Sequence, residues 1–183
     1  MSNRPQLNPE KTELLWCSTN RRQHRLPTTT LKIGSTTVVP VPSVRDLGIC
    51  VDSDLVMRIR VCQTASCCFA ALRQLRGIRH LVSATVFQSL VAALVLCRLD
   101  YVSGTLVSLP AYLNRRLQSV QNAATRLIFR LRRFDHTTGA LVSFHWLRVP
   151  ERIVFKIAVQ TYRAMHGDVP QYLRQFTSIA DTP

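Results

Sequence analysis

Residues 110–133 read PAYLNRRLQSVQNAATRLIFRLRR and form the most informative stretch of the chain. Apolar residues recur there at every third or fourth position, which predicts a helix that packs one stripe against a core. The stripe consists of Leu113, Leu117, Val120, Ala124, Leu127 and Leu131. Pro110 suits the first turn of this helix, where a missing N–H costs no hydrogen bond. The stretch therefore predicts a helical domain.

The opposite face of the same helix is basic and carries no acidic residue to balance it. Such a stripe is typical of a surface that follows a phosphate backbone. The predicted nucleic-acid-binding residues are Arg115, Arg116, Asn122, Arg126, Arg130, Arg132 and Arg133. The alternative is a solvated face without a ligand, which is how most runs of charge end.

The segments on either side of residues 110–133 are also predicted to be helical. A second apolar stripe predicts a helix over residues 55–77, with Gly77 as its C-terminal cap. This stripe consists of Val61, Ala65, Cys68, Leu72 and Leu75. Ser83 is a suitable N-cap for the next helix. Pro150 predicts the start of a later helix, which Gly167 would end.

The first fifty residues have a different pattern, with short β-branched runs separated by glycine and proline. They predict a small antiparallel sheet. Its strands are expected at residues 12–17, 31–33, 36–39 and 47–51. The fold class is therefore α+β, a small antiparallel sheet followed by an all-helical bundle. The expected divisions are residues 1–53, residues 54–177 and a tail at 178–183.

The composition indicates an anionic partner. The net charge is +14, and only three of the 24 basic residues are lysines, which leaves 21 arginines. Arginine grips phosphate with two parallel hydrogen bonds and stacks on bases, so RNA or DNA is the expected partner. The alternative explanation is that the arginines reflect a GC-rich coding sequence. A membrane is not expected, because the most apolar stretch, residues 86–99, is short and contains Arg98.

The six cysteines are expected to be free thiols, because residues 1–15 lack the apolar core of a secretory signal. The expected location is cytoplasmic or nuclear, not secreted. No CxxC pair occurs, so no zinc site is predicted. Asp52-Ser53-Asp54 resembles a metal-binding pair, and the alternative is a turn in which Asp54 caps the next helix. The histidines match no metal or acid–base motif.

Several segments together resemble the C-terminal part of non-LTR retrotransposon reverse transcriptases. Residues 8–13 (NPEKTE) resemble the segment after that family's catalytic loop, and residues 44–52 (VRDLGICVD) resemble its primer-grip hairpin. Residues 117–124 (LQSVQNAA) resemble a helix of its thumb. Further matches are residues 97–101 (CRLDY) and the block of residues 135–138, 141–147 and 152–153.

The resemblance implies a palm remnant with a primer-grip-like site at Leu47, Gly48, Val51 and Asp52, the last two at the hairpin tip. It also implies a thumb that holds template and primer, with the missing palm and fingers as a further partner. The family's polymerase binds Mg²⁺ through an Asp-Asp loop, and no Asp-Asp pair occurs in this sequence. We therefore expect no cofactor and no enzymatic activity. The alternative is a relict or structural protein whose basic surface is incidental.

Overall fold

The computed structural model describes Asn8 and residues 11–33, 36–101 and 103–173. The expected tail at 178–183 and the turn at residues 34–35 lie outside the described residues. Internal contacts divide the chain into two units, Met1–Ser66 and Cys67–Pro183. The division expected at residue 53, where strands give way to helices, stays a prediction.

The strands of the first unit form two separate hairpins instead of one sheet. β1 (Leu31–Ile33) pairs with β2 (Thr36–Val38), and β3 (Ser43–Asp46) pairs with β4 (Ile49–Asp52), both antiparallel. A 3-10 helix, Asn20–Arg25, precedes them. The strand predicted at residues 12–17 is wrong, since Leu14 makes only an isolated bridge to Pro40. The Val41 N–H donates to the Leu14 main-chain oxygen at 2.9 Å, and no strand ladder forms around this bond among the described residues.

The second hairpin turns at Leu47 and Gly48, which have φ values of 46° and 79°. Two positive φ values in a two-residue loop match the twist of the flanking strands. The strand predicted to begin at residue 47 therefore begins at Ile49, and its partner β3 falls where the resemblance of residues 44–52 implied a hairpin. Val51 pairs with Val44 and Asp52 pairs with Ser43, at the end of the hairpin away from the turn. Placing Val51 and Asp52 at the hairpin tip was therefore wrong.

Helices make up most of the remaining chain. They are α1 (Arg58–Ile78), α2 (Ala84–Val91), α3 (Cys97–Asp100), α4 (Ala111–Phe129), α5 (Thr138–Ser143) and α6 (Val149–Met165). A π-helical segment, Ala92–Leu96, joins α2 to α3, and 3-10 helices span Ser103–Leu106 and Gln171–Leu173. Together with the two hairpins they confirm the α+β fold class. None of the described helices combines the length and the hydropathy that a bilayer crossing requires.

The predicted apolar stripes become buried. All five stripe residues of α1 are buried, as are Leu113, Leu117, Val120 and Ala124 of α4. Leu127 is only half-buried, and Leu131, also half-buried, lies beyond the end of α4 at Phe129. Within the second unit α4 packs against α2, α5 and α6. The helix α4, which the sequence predicted most clearly, therefore contributes to the core of this unit.

Most of the predicted helix ends are confirmed. The Ser83 hydroxyl accepts a hydrogen bond from the Val86 N–H at 3.4 Å, which caps α2. Pro150 lies in the first turn of α6, and Gly167 follows the end of that helix with a φ of 87°. The predicted cap at Gly77 is wrong, because α1 continues to Ile78 and Gly77 lacks a positive φ.

Candidate nucleic-acid interface

One groove in the second unit collects much of its positive charge. It has a volume of about 680 Å³ and lies between the end of α1 and the C-terminal half of α4. Its lining residues are Arg76, Arg79, His80, Ala123, Arg126, Leu127, Arg130, Leu131 and Arg133. Among the residues that the structure describes, the lining of this arginine groove contains five arginines and no acid.

The end of α1 supplies one wall of the arginine groove. Arg76 and Arg79 are three residues apart, so they project from the same side of the chain. The Arg79 guanidinium donates a hydrogen bond to the main-chain oxygen of Ile128 at 2.8 Å. It also lies 5.4 Å from the ring centroid of the buried Phe87, within range of a cation–π interaction. Arg79 is therefore fixed between the two walls.

The end of α4 supplies the other wall. Arg130 caps the helix in a left-handed conformation with a φ of 56°, which costs a non-glycine residue about 1–2 kcal/mol. One terminal nitrogen of Arg126 donates to the main-chain oxygen of Asp135 at 3.3 Å. The Nε of Arg126 is buried without a hydrogen-bond partner, at a cost of about 1–3 kcal/mol. The left-handed conformation of Arg130 lets the main-chain N–H groups of Arg130 and Leu131 both donate to the Arg126 carbonyl, which closes the end of α4.

The charges in the groove repel one another. Burial lowers the pKa of Arg79, and the positive charge of Arg130 lowers it further. Arginine nevertheless stays protonated in proteins, so the groove keeps its charge. The Asp135 carboxylate does not line the groove. It accepts a hydrogen bond from the Arg132 N–H at 2.6 Å and closes the turn after α4. An uncompensated positive groove attracts anions and raises their local concentration.

The structure brings only some of the predicted contact residues together. Arg126, Arg130 and Arg133 line the arginine groove. Arg115, Arg116 and Arg132 are exposed but lie outside it, along α4 and the turn that follows. Arg133 lies 5.8 Å from the ring centroid of Phe134, whose side chain is 88% exposed. An exposed aromatic ring beside basic residues offers a stacking surface for an unpaired base.

Asn122 has an internal role instead of the predicted contact with nucleic acid. Its Oδ1 accepts hydrogen bonds from Gln118 Nε2 at 2.9 Å and from Thr137 Oγ1 at 3.2 Å. The neighbouring Gln118 Oε1 accepts from the Val149 N–H at 2.8 Å, at the start of α6. The polar side chains in the middle of α4 therefore hold α5 and α6 in place.

The residues that the sequence analysis missed are Arg76, Arg79 and His80. The signal was present in residues 73–80 (RQLRGIRH), where three arginines follow one another without an acid. Their proximity to Arg126 could not be inferred, because about fifty residues separate the two segments and the contact is tertiary.

The primer-grip-like residues lie in the first unit and differ in exposure. Leu47 is 82% exposed at the turn with Gly48, Val51 is half-buried, and Asp52 is only 7% exposed. Asp52 Oδ2 accepts a hydrogen bond from the Ile59 N–H at 3.1 Å, in the first turn of α1. Asp54 Oδ1 accepts instead from the Val56 N–H at 3.0 Å. Asp52 therefore caps α1 in place of Asp54, and its buried carboxylate is unsuited to contact a primer.

Metal ligands do not cluster within the described residues, where no group of three or more His, Cys, Asp and Glu side chains could hold an ion. All six cysteines are unpaired. The arginine groove is thus the feature whose chemistry points most clearly to a ligand. Comparisons of the chain with protein-family models, with curated proteins and with solved structures gave no match.

Proposed function

We propose that this chain binds RNA or DNA through phosphates, with little sequence preference and without catalysing a reaction. The supporting observation is the arginine groove, in which five arginines from two helices meet without an acid. Arginine matches the geometry of phosphate oxygens, and phosphate contacts carry no sequence information by themselves. The half-buried Leu127 and Leu131 form an apolar part of the lining beside these arginines.

The proposed origin of the module is the thumb and palm end of a non-LTR retrotransposon reverse transcriptase. Contacts between the resembling segments support this origin. Arg152 forms a salt bridge with Asp100, and Lys156 Nζ donates to the main-chain oxygen of Asp100 at 2.8 Å. Gln121 Nε2 donates to the main-chain oxygen of Leu147 at 2.8 Å. The Arg152–Asp100 and Gln121–Leu147 contacts each join two segments that the resemblance had singled out separately.

A second candidate function is that of an interaction protein whose basic surface is incidental. The observation in its favour is the outer side of α6, where Val154, Phe155, Tyr162 and Met165 are all exposed. Apolar side chains on one exposed helix are typical of a surface that contacts another protein. This function predicts self-association or partner binding that does not weaken as salt is added.

Salt dependence of binding separates the two candidates. Anisotropy of a labelled RNA–DNA hybrid would be measured at salt concentrations between about 50 and 200 mM. If three or four phosphates are neutralised, the logarithm of the binding constant should fall with a slope of about −3 to −4 against log salt. The dissociation constant at physiological salt should lie at about 10⁻⁴ to 10⁻⁶ M. A slope near zero, or no binding at low salt, would reject the proposal.

A further inference from the structure

We infer that the arginine groove is a site for a compact oligophosphate, a run of two or three directly linked phosphates. The ligand chemistry is shared by the 5′-triphosphate end of an RNA and by free tripolyphosphate. The inference rests on the proposed function, because it assigns a preferred ligand class to the same groove. It goes further in stating that the groove discriminates between a phosphodiester backbone and a terminal oligophosphate.

Phosphodiester groups and terminal oligophosphates differ in charge density. Each phosphodiester group carries one negative charge, whereas a terminal phosphate carries about −1.5 to −2. A triphosphate end therefore concentrates roughly four charges in a few ångströms. The groove, of about 680 Å³, is lined by five arginines and, among its described lining residues, by no acid. One or two backbone phosphates would leave most of this charge uncompensated.

The arginines of the groove come from two separate segments of the chain. A site that follows an extended backbone needs cations spaced along a line. Here Arg76 and Arg79 come from the end of α1, and Arg126, Arg130 and Arg133 come from α4 and the chain beyond it. The two groups line a single cavity, so their charges converge. Arg115 and Arg116, which would extend the row along α4, do not line it.

Two guanidinium groups of the groove are held by contacts within the protein. The hydrogen bond from Arg79 to Ile128 and the contact with the Phe87 ring hold one guanidinium in place before a ligand arrives. The bond from Arg126 to the Asp135 main-chain oxygen restrains a second guanidinium from the opposite wall. Side chains that are ordered in advance lose less entropy on binding, which favours a ligand that contacts them all at once.

The test compares two forms of one short RNA, one with a 5′-triphosphate and one with a 5′-hydroxyl. Binding to the full chain is measured with EDTA present, because the triphosphate would otherwise chelate divalent cations and lose negative charge. We expect the triphosphate form to bind at least about tenfold more tightly, since charge-assisted hydrogen bonds add this much affinity. Free tripolyphosphate should displace it and should raise the melting temperature of the protein above that in chloride of equal ionic strength.

Two matched double variants locate the site. Arg76→Gln with Arg126→Gln removes one arginine from each wall. Arg98→Gln with Arg163→Gln makes the same charge change at two exposed arginines outside the groove. The groove pair should reduce the preference for the triphosphate to less than about twofold, and the control pair should keep it. If the groove pair does not fold, Arg76→Gln alone serves, because Arg76 is exposed.

Four outcomes of these binding experiments bear on the oligophosphate site and on the proposed function. Displacement by tripolyphosphate without a preference for the RNA end supports the site and makes the free oligophosphate its ligand. Equal binding of the two RNA forms, with no effect of tripolyphosphate, overturns the inference and leaves the proposed function standing. Binding of the triphosphate alone supports the site and removes backbone binding as the function. Equal losses in the groove and control pairs also overturn the inference.

Discussion

Arg79 donates a hydrogen bond of 2.8 Å to the main-chain oxygen of Ile128, and this bond joins the end of α1 to the last turn of α4. The last carbonyl groups of a helix have no partner within the helix, and the helix dipole makes them attractive to a cation. The same residue lines the arginine groove. One contact thus closes the end of α4 and fixes the distance between the two walls of the groove.

Replacing Arg79 with methionine keeps the apolar stem and removes the donor. We expect the free energy of unfolding to fall by about 1–2 kcal/mol, because Ile128 loses a charged partner and Arg79 is only half-buried. Urea unfolding followed by circular dichroism measures this loss. Arg73→Met is the control, because Arg73 is exposed on the same helix and should change stability by no more than about 0.5 kcal/mol. Equal effects of the two substitutions would contradict the role assigned to Arg79.

Gln121 is fully buried and donates to the main-chain oxygen of Leu147. Gln121→Leu keeps the volume but leaves this oxygen without its donor, so a loss of about 1–3 kcal/mol is expected. Gln74→Leu makes the same change at an exposed position of α1 and should be nearly neutral. Chemical denaturation of both variants measures the difference. An unchanged midpoint for Gln121→Leu would show that the internal network does not hold α6 in place.

Cys68 makes stability depend on pH in the alkaline range. Burial raises the pKa of its thiol from 9.0 to about 11, the positive charge of Arg98 opposes this shift, and Cys67 adds to it. Because the folded pKa lies above the unfolded one, this stabilisation is complete below pH 9 and is lost as the pH rises through 11. The loss amounts to about 2–3 kcal/mol.

The measurement for Cys68 is the free energy of unfolding at about pH 8 and about pH 10.5, for the original chain and for Cys68→Ala. Tyrosine and lysine also titrate in this range, so the difference between the two proteins is the informative quantity. We expect the advantage of the original chain to shrink at the higher pH. A difference that does not vary with pH would show that the thiol is not buried in solution.

Polymerase activity is expected to be absent, because two-metal phosphoryl transfer requires a set of carboxylates and the sequence contains no Asp-Asp pair. Extension of an oligo(dT) primer on poly(A) with magnesium should equal a blank without protein. Extension above the blank would contradict this expectation if changing a residue of this chain abolished it. A preparation of the Cys68→Ala variant, which alters no polar group of the groove, controls for a contaminating polymerase.

The sequence predicted the elements whose pattern is local. The first four members of the α4 stripe and the cap at Ser83 depend on residues within one or two turns, and they are confirmed. The strand at residues 12–17 was wrong because strand pairing depends on the facing segment, and the segment around Pro40 makes only an isolated bridge to Leu14. The cap at Gly77 was wrong because a glycine also fits within a helix when packing continues beyond it.

The candidate site was predicted in part for the same reason. The α4 face pointed to Arg126 and Arg130, since helical spacing places them on one side. It could not show that Asn122 is held by Thr137, nor that Arg76 and Arg79 face the same groove. Those relationships depend on how separate helices pack, which the spacing within each helix does not encode.

Charge reversal in the groove tests the central claim most directly. A double variant with Arg126→Glu and Arg130→Glu is compared with a control double variant with Arg98→Glu and Arg163→Glu, which changes two exposed arginines outside the groove. Binding of labelled hybrids of several sequences is measured by anisotropy. The account predicts that the groove pair weakens binding uniformly and reduces the salt slope by about 2, near 0.9 for each lost phosphate, with helicity unchanged. The control pair should keep the slope. Equal weakening by both pairs would contradict the account, because the net charge of +14 would then act as a diffuse field and no site would exist.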